Sequence, residues 1–210
     1  MKKKYILFDN DGVLVETEIW YYQAILKALK QFDVNIPFEE YMKIMAEGTN
    51  VWEKAFNKGI SQSDISRARD ERNIYYQEYL RTEDILIHGV KDVLTELSKK
   101  YKMAIVTTSR RVDFEIIHEK QGITNFMDFI LCEEDYKYCK PHPEPYLTAL
   151  ERFKAKTHEA IVVEDSERGL TSAYRAKIDC VTVKNEFTKT QNFSKSQYKI
   201  QTLNDLIALL

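Results

Sequence analysis

The stretch that most constrains this chain is KYILFDNDGVLVE, Lys4 to Glu16. Tyr5, Ile6, Leu7 and Phe8 form a short apolar run of the kind that fits a strand buried on both faces. The run stops at Asp9, and Asn10, Asp11 and Gly12 follow. A buried parallel strand that ends this way places carboxylates at its carboxyl edge, where open α/β sheets bind ligands. Asp9 and Asp11 are two residues apart and would lie close together. One would stay protonated unless a cation sat between them, and a divalent metal is the simplest resolution. Gly12 lets the chain leave the strand sharply. An ordinary strand-to-loop turn is the alternative for these residues, since Asp, Asn and Gly all favour turns. A calcium loop is excluded, because a strand stands where its leading helix would be and Leu7 stands where it would need an acid.

What surrounds this stretch narrows the class. The chain has 210 residues and a net charge of −2, so no general basic surface points to nucleic acid. Cys132, Cys139 and Cys180 are odd in number and lack zinc-type pairing. Free thiols in a reducing cytosol are expected, and with them a cytoplasmic location. The start, MKKKYILF, has the charged front of a signal peptide, but its apolar run is far too short for one. No stretch is long enough to span a membrane.

Residues 17–82 change character. Aromatic and charged residues dominate, and apolar positions recur at helical spacing, as in Ile25, Leu26, Leu29 and Phe32. Pro37 and Gly59 mark breaks. Four or so helices are expected, with no strand and with the aromatic stripe as their core. From Ile85 the pattern alternates. Met103–Val106, Phe129–Leu131, Ala160–Val163 and Cys180–Val183 read as strands. Helices are expected after His88-Gly89, around Asp113–Gln121, over Pro145–Lys154, after Glu164-Asp165-Ser166, and over Leu203–Leu210. Alternation of this kind implies a parallel sheet with right-handed crossovers. The fold class is therefore α/β, a Rossmann-like parallel sheet core with an inserted all-helical cap. The expected division is 1–15 with 86–210 for the core and 16–85 for the cap. Asp9, Thr107 and Glu164-Asp165 end three strands at one edge and would converge on one crevice.

Four stretches taken in order resemble the haloacid dehalogenase superfamily of phosphohydrolases, in the branch with a helical cap after the first motif. They are FDNDGVLVETE, AIVTTS with Thr107, the lysine of KPHPEPY, Lys140, and VVEDSERGL with Glu164 and Asp165. The resemblance covers essentially the whole chain. It implies that Asp9 is a nucleophile that forms an aspartyl-phosphate. Asp11 would protonate the leaving oxygen and then activate water. Mg²⁺ would be held by the Asp9 carboxylate, the Asp11 carbonyl and Asp165, with Glu164 helping through water. Thr107 and backbone amides near Asn10 and Thr108 would hold phosphoryl oxygens, and Lys140 would offset charge. Thr17, the loop Gly48-Thr49-Asn50, and Arg72 fall where relatives contact substrate. Residues 13–17 and 83–88 would be hinges of the cap. These roles suit phosphoryl transfer, which needs positioning and neutralisation of developing charge. Each residue has a structural alternative: Thr107 as a strand cap, Lys140 and Arg72 as surface charges, Glu164-Asp165-Ser166 as a helix cap. None of these accounts for the ordered set. The chain departs from the family at Cys139, where glycine is common, and at His88, where proline is common.

The implied function is a Mg²⁺-dependent phosphatase of a small phosphorylated metabolite, acting as a monomer or weak dimer without nucleic-acid or membrane partners. A sugar phosphomutase of the β-phosphoglucomutase type is the first rival. Tyr21 replaces that relative's histidine, and its cap arginine aligns near Val51, which argues against mutase chemistry. A dehalogenase proper lacks the second acid, here Asp11. A non-catalytic binding module would be expected to have lost motif residues, and none is lost.

Overall fold

The computed structural model describes residues 3–47 and 49–210. The chain divides into two compact units, residues 1–16 with 85–210, and residues 17–84. The first unit is built on strands β1 (Tyr5–Phe8), β2 (Lys102–Val106), β3 (Phe129–Leu131), β4 (Ala160–Glu164), β5 (Asp179–Val183) and β6 (Tyr198–Ile200). They form one sheet in the order β3-β2-β1-β4-β5-β6, with every neighbouring pair parallel. The Rossmann-like α/β reading holds.

Strand geometry explains the two cores. Successive side chains point to opposite faces. Ile6 and Phe8 thus join Met103, Ile105, Ile161 and Val163 on one face, under α5 (Val90–Ser98), α6 (Arg111–His118) and α9 (Asp205–Leu209). Leu7 joins Ala104, Val106 and Val162 on the other, under α7 (Glu144–Phe153) and α8 (Glu167–Arg175). Covering both faces is what makes these strands near-continuous apolar runs. β6 was not expected. It is an edge strand whose Tyr198 and Lys199 are exposed, so it has no apolar run to betray it. The helix expected over Asp113–Gln121 instead ends at His118.

The sheet order matters for function. From β1 the chain steps outward to β2 and β3, then returns to β4 on the other side. β1 and β4 therefore flank the switch point, where open α/β sheets bind ligands beyond the carboxyl ends of the strands. Asp9 follows β1 and Asp165 follows β4.

The second unit contains α1 (Glu18–Leu29), α2 (Phe38–Glu47), α3 (Glu53–Asn57) and α4 (Gln62–Thr82), and among the described residues no strand. Its core joins Tyr22, Tyr41 and Trp52 to Ile25, Leu29, Ile36 and Ile65. Tyr22 donates to the Ile36 carbonyl at 2.7 Å, which satisfies its buried hydroxyl. In the first unit, the segments flanking the 17–84 insertion are bonded side by side: Glu16 N–H donates to the Ile85 carbonyl at 2.8 Å.

Leu7 is fully buried at the centre of the sheet. Leu7→Ala should lower unfolding stability by about 2–5 kcal/mol, read as a lower urea midpoint with an unchanged slope.

Candidate active site

β1 delivers Asp9 to the sheet edge, where its N–H donates to the Val163 carbonyl at 2.9 Å. Lys140 comes from the loop before α7 and is buried. Its ammonium donates to Asp9 Oδ1 at 2.7 Å, Glu164 Oε1 at 2.7 Å and the Val106 carbonyl at 2.8 Å. An ammonium has three donors, and all three are satisfied. Glu164, fully buried at the end of β4, also accepts from Tyr146 Oη at 2.7 Å through Oε1. Its Oε2 takes the Asp165 N–H and the Ser166 hydroxyl. Ser166 in turn caps α8 by accepting from Gly169 N–H.

The electrostatics define what the site could hold. One oxygen from each of Asp9, Glu164 and Asp165 lies within 4.8 Å of the others. Burial first, and then the Glu164 charge, push the Asp9 carboxyl up to about 7, although Lys140 pulls it down. Glu164 also feels burial, but Lys140 and its hydroxyl donors win and hold it low. Lys140 stays charged because the two carboxylates outweigh its desolvation. Three carboxylates thus face one ammonium. Hard oxygen donors in negative excess fit a divalent cation such as Mg²⁺. Gly12 makes room for the third acid. A Cβ there would stand 2.1 Å from Asp165 Oδ2, and its φ of +80° is one that side chains rarely adopt.

Asp11 lies outside that acidic triad. Its Oδ2 accepts from Ser109 Oγ at 2.6 Å, Asn10 Nδ2 at 3.3 Å and Thr107 Oγ1 at 3.4 Å. Thr107 is buried at the end of β2, and Thr108 beside it accepts from Arg168 at 3.2 Å. Asn10 is fully buried, and its side chain meets His118 Nε2 at 2.7 Å.

The haloacid dehalogenase-like hydrolase family matches residues 6–183. The chain belongs to that family. This hydrolase is also 27% identical over its whole length to pyrophosphatase PpaX of Oceanobacillus iheyensis, covering 98% of that protein. It is 28% identical to a phosphorylated carbohydrates phosphatase of Thermotoga maritima, across 83% of this chain and 82% of that one. Among solved structures, CbbY of Rhodobacter sphaeroides, a mutant of which was crystallised with xylulose-(1,5)-bisphosphate, superposes with a TM-score of 0.81. That match covers 97% of this chain and 96% of CbbY at 22% identity, and shows the shared fold.

Six residues picked from sequence, Asp9, Asp11, Thr107, Lys140, Glu164 and Asp165, meet in this hydrolase through the contacts above. Asn10 and Thr108 lie beside them in the first unit, and the other candidates belong to the second. Thr17 is buried just before α1. Thr49 and Asn50 are exposed, with Asn50 Oδ1 accepting from Trp52 N–H at 3.1 Å. Arg72 lies over the Tyr21 ring at 4.4 Å and donates to Asn73. Gly48 lies outside the described residues.

Four supporting residues escaped sequence reading. Ser109 and Asn185 each sit just beyond a strand end, Asn185 donating to Asp165 Oδ2 at 2.9 Å. The strand-end rule could have found both. Tyr146 and His118 lie on helices and carry no local signal.

No helix among the described residues of this hydrolase is long and apolar enough to cross a membrane.

Two outcomes follow from this geometry. A Cβ on Gly169 would stand 1.8 Å from Glu164 Oε1, which has no room to retreat among its donors. Gly169→Ala should cost about 1–3 kcal/mol in urea unfolding and displace Glu164 from Lys140. Burial lowers the His118 imidazole from 6.5 to about 4, against the weaker pull of Asp11. Between those values the unfolded chain binds the extra proton, so this contribution is present above 6.5 and lost as the pH falls towards 4. The stability gap between wild type and His118→Leu should therefore shrink by about 2 kcal/mol on going from pH 7 to 5.

Proposed function

We propose that this hydrolase is a Mg²⁺-dependent phosphatase that acts on a small phosphorylated metabolite through an aspartyl-phosphate at Asp9. The observation that carries the reading is the Asp9 carboxylate at the switch point, bonded to buried Lys140 and facing Glu164 and Asp165. Asp9 attacks phosphorus, and the bond to the leaving oxygen breaks. Asp11 gives its proton to that oxygen. Water then attacks the phosphorus of the acyl-phosphate while Asp11 takes a proton from it. The bond to Asp9 breaks, phosphate leaves, and both acids return to their starting states. Lys140 offsets charge on Asp9 and on the phosphoryl group. The Thr107 hydroxyl and the backbone amides of Asn10 and Thr108 hold phosphoryl oxygens. Asp9, Asp165 and the Asp11 carbonyl would hold Mg²⁺, with Glu164 behind them. The ion would supply neutralisation of phosphoryl charge.

Substrate choice belongs to the second unit in this reading, with Thr17, Thr49, Asn50 and Arg72 as its candidates. Water as the acceptor is supported by that unit's own packing. A mutase needs a second phosphate clamp, for which arginine is the suitable side chain. Val51, where such a residue would align, is buried in the apolar core. Tyr21 is engaged by Arg72 and by Tyr76. The names of the relatives suggest the first panel: pyrophosphate, sugar phosphates and xylulose-1,5-bisphosphate.

The test is phosphate release across that panel. Asp9→Asn should reduce turnover roughly a thousandfold or more while circular dichroism stays unchanged. Excess EDTA should abolish activity and Mg²⁺ restore it. Near wild-type turnover by Asp9→Asn would refute the covalent step, and full activity in EDTA would refute the metal.

A further inference from the structure

We propose that His118 is a positioning residue for this reaction: through the side chain of Asn10 it fixes the carboxylate of Asp11. The inference rests on the reading of Asp11 as the general acid given above. It begins with two polar side chains placed where burial alone favours apolar ones. Asn10 is fully buried in the turn after β1, and His118 is buried at the end of α6. They are bonded to each other at 2.7 Å, and the Phe114 ring, one helical turn back, lies 4.3 Å from the imidazole.

The hydrogen-bond chain has one consistent direction. Asp11 Oδ2 is an acceptor and lies 3.3 Å from the Asn10 amide nitrogen. An amide oxygen in that place would face the carboxylate oxygen and repel it. The Asn10 nitrogen therefore turns to Asp11 and its oxygen to His118. His118 must then donate from Nε2, and since burial keeps the ring neutral, Nδ1 carries the lone pair. Nδ1 is buried and, among the described residues, is the single buried side-chain polar atom without a partner. An apolar pair of the same shape would avoid that orphan. Stability thus gives no reason for this pair, whereas orientation does.

Asn10 is well placed to transmit that orientation. Its carbonyl accepts from the N–H groups of Val13, Leu14 and Val15, so it also anchors the turn that carries Asp11. On Oδ2 it joins Ser109, whose hydroxyl donates at 2.6 Å while the Thr107 hydroxyl stands 3.4 Å away, and these contacts on one oxygen restrict rotation of the carboxylate. An acid that must reach the leaving oxygen depends on such restriction.

A loss of proton donation shows itself in the leaving group. The value of kcat/KM reports the first transfer, in which the leaving oxygen departs. 2-Glycerophosphate leaves as a strongly basic alkoxide and needs the proton; 4-nitrophenyl phosphate leaves as a weakly basic phenolate and needs it far less. The probes are these two esters, with Asp11→Asn as the reference variant. His118→Leu should lower kcat/KM for 2-glycerophosphate roughly tenfold, part of the roughly hundredfold or more that acid–base catalysis contributes. The loss on 4-nitrophenyl phosphate should be several-fold smaller. His118→Gln, whose amide nitrogen can stand in for Nε2, should recover most of the loss. The double variant Asn10→Leu/His118→Leu removes both polar partners. It should unfold at the wild-type urea midpoint and still discriminate between the esters. Equal losses on both esters in His118→Leu, or a double variant with wild-type kinetics, would reduce the pair to a packing feature and overturn the proposal. Should Asp11→Asn itself fail to discriminate, the acid role beneath the proposal falls and the proposal falls with it. Discrimination in Asp11→Asn but in neither His118→Leu nor the double variant breaks the His118 link alone.

Discussion

The buried ammonium of Lys140 holds the first unit's site together. It is the shared counter-charge of Asp9 and Glu164 and bonds the carbonyl that ends β2. Three segments far apart in sequence are tied at one nitrogen. A charge so buried is tolerated only because every donor is used and two carboxylates surround it. The arrangement works in both directions, since removing the ammonium would leave two carboxylates uncompensated in a low-dielectric interior.

The supporting layers follow from that point. Tyr146 on α7 and Ser166 at the start of α8 each donate to Glu164, so both helices on one face of the sheet report to the same carboxylate. Gly169 lets α8 approach it, and Gly12 lets Asp165 approach the turn after β1. The opposite face holds Asp11 and its neighbours. α6 ends in His118, which reaches Asn10, while Ser109 and Thr107 reach Asp11. Asp9 is thus held mainly through charge and Asp11 mainly through neutral hydrogen bonds. That division suits the roles proposed for the two residues. A nucleophile must stay ionised in a cluster of acids, whereas an acid–base group must cycle between its two forms.

Negative charge remains in excess after Lys140 is counted, and burial together with the Glu164 charge lifts the Asp9 carboxyl to about 7. Burial and Glu164 oppose its ionisation, and Lys140 only partly offsets them. A divalent cation between Asp9 and Asp165 would complete the balance, in keeping with the membership of this chain in the haloacid dehalogenase-like hydrolases.

The alternation of apolar runs with helical stretches, and the acids, hydroxyl and lysine at the run ends, were legible in the chain because strands buried on both faces leave a local signal. So were the switch to a helical segment after residue 16 and the six residues that meet at the sheet edge. β6 was not legible, because an edge strand needs no apolar run. Nor was the burial of Asn10, since an asparagine in a turn looks solvated until a helix from a hundred residues on covers it. His118 and Tyr146 were silent for the same reason: each acts through one long-range hydrogen bond, and a single contact leaves no periodicity. Sequence by itself determined which groups stand at the strand ends, because that depends on local patterning. Tertiary structure decided which of them hold the others still, because that depends on how close distant backbones come.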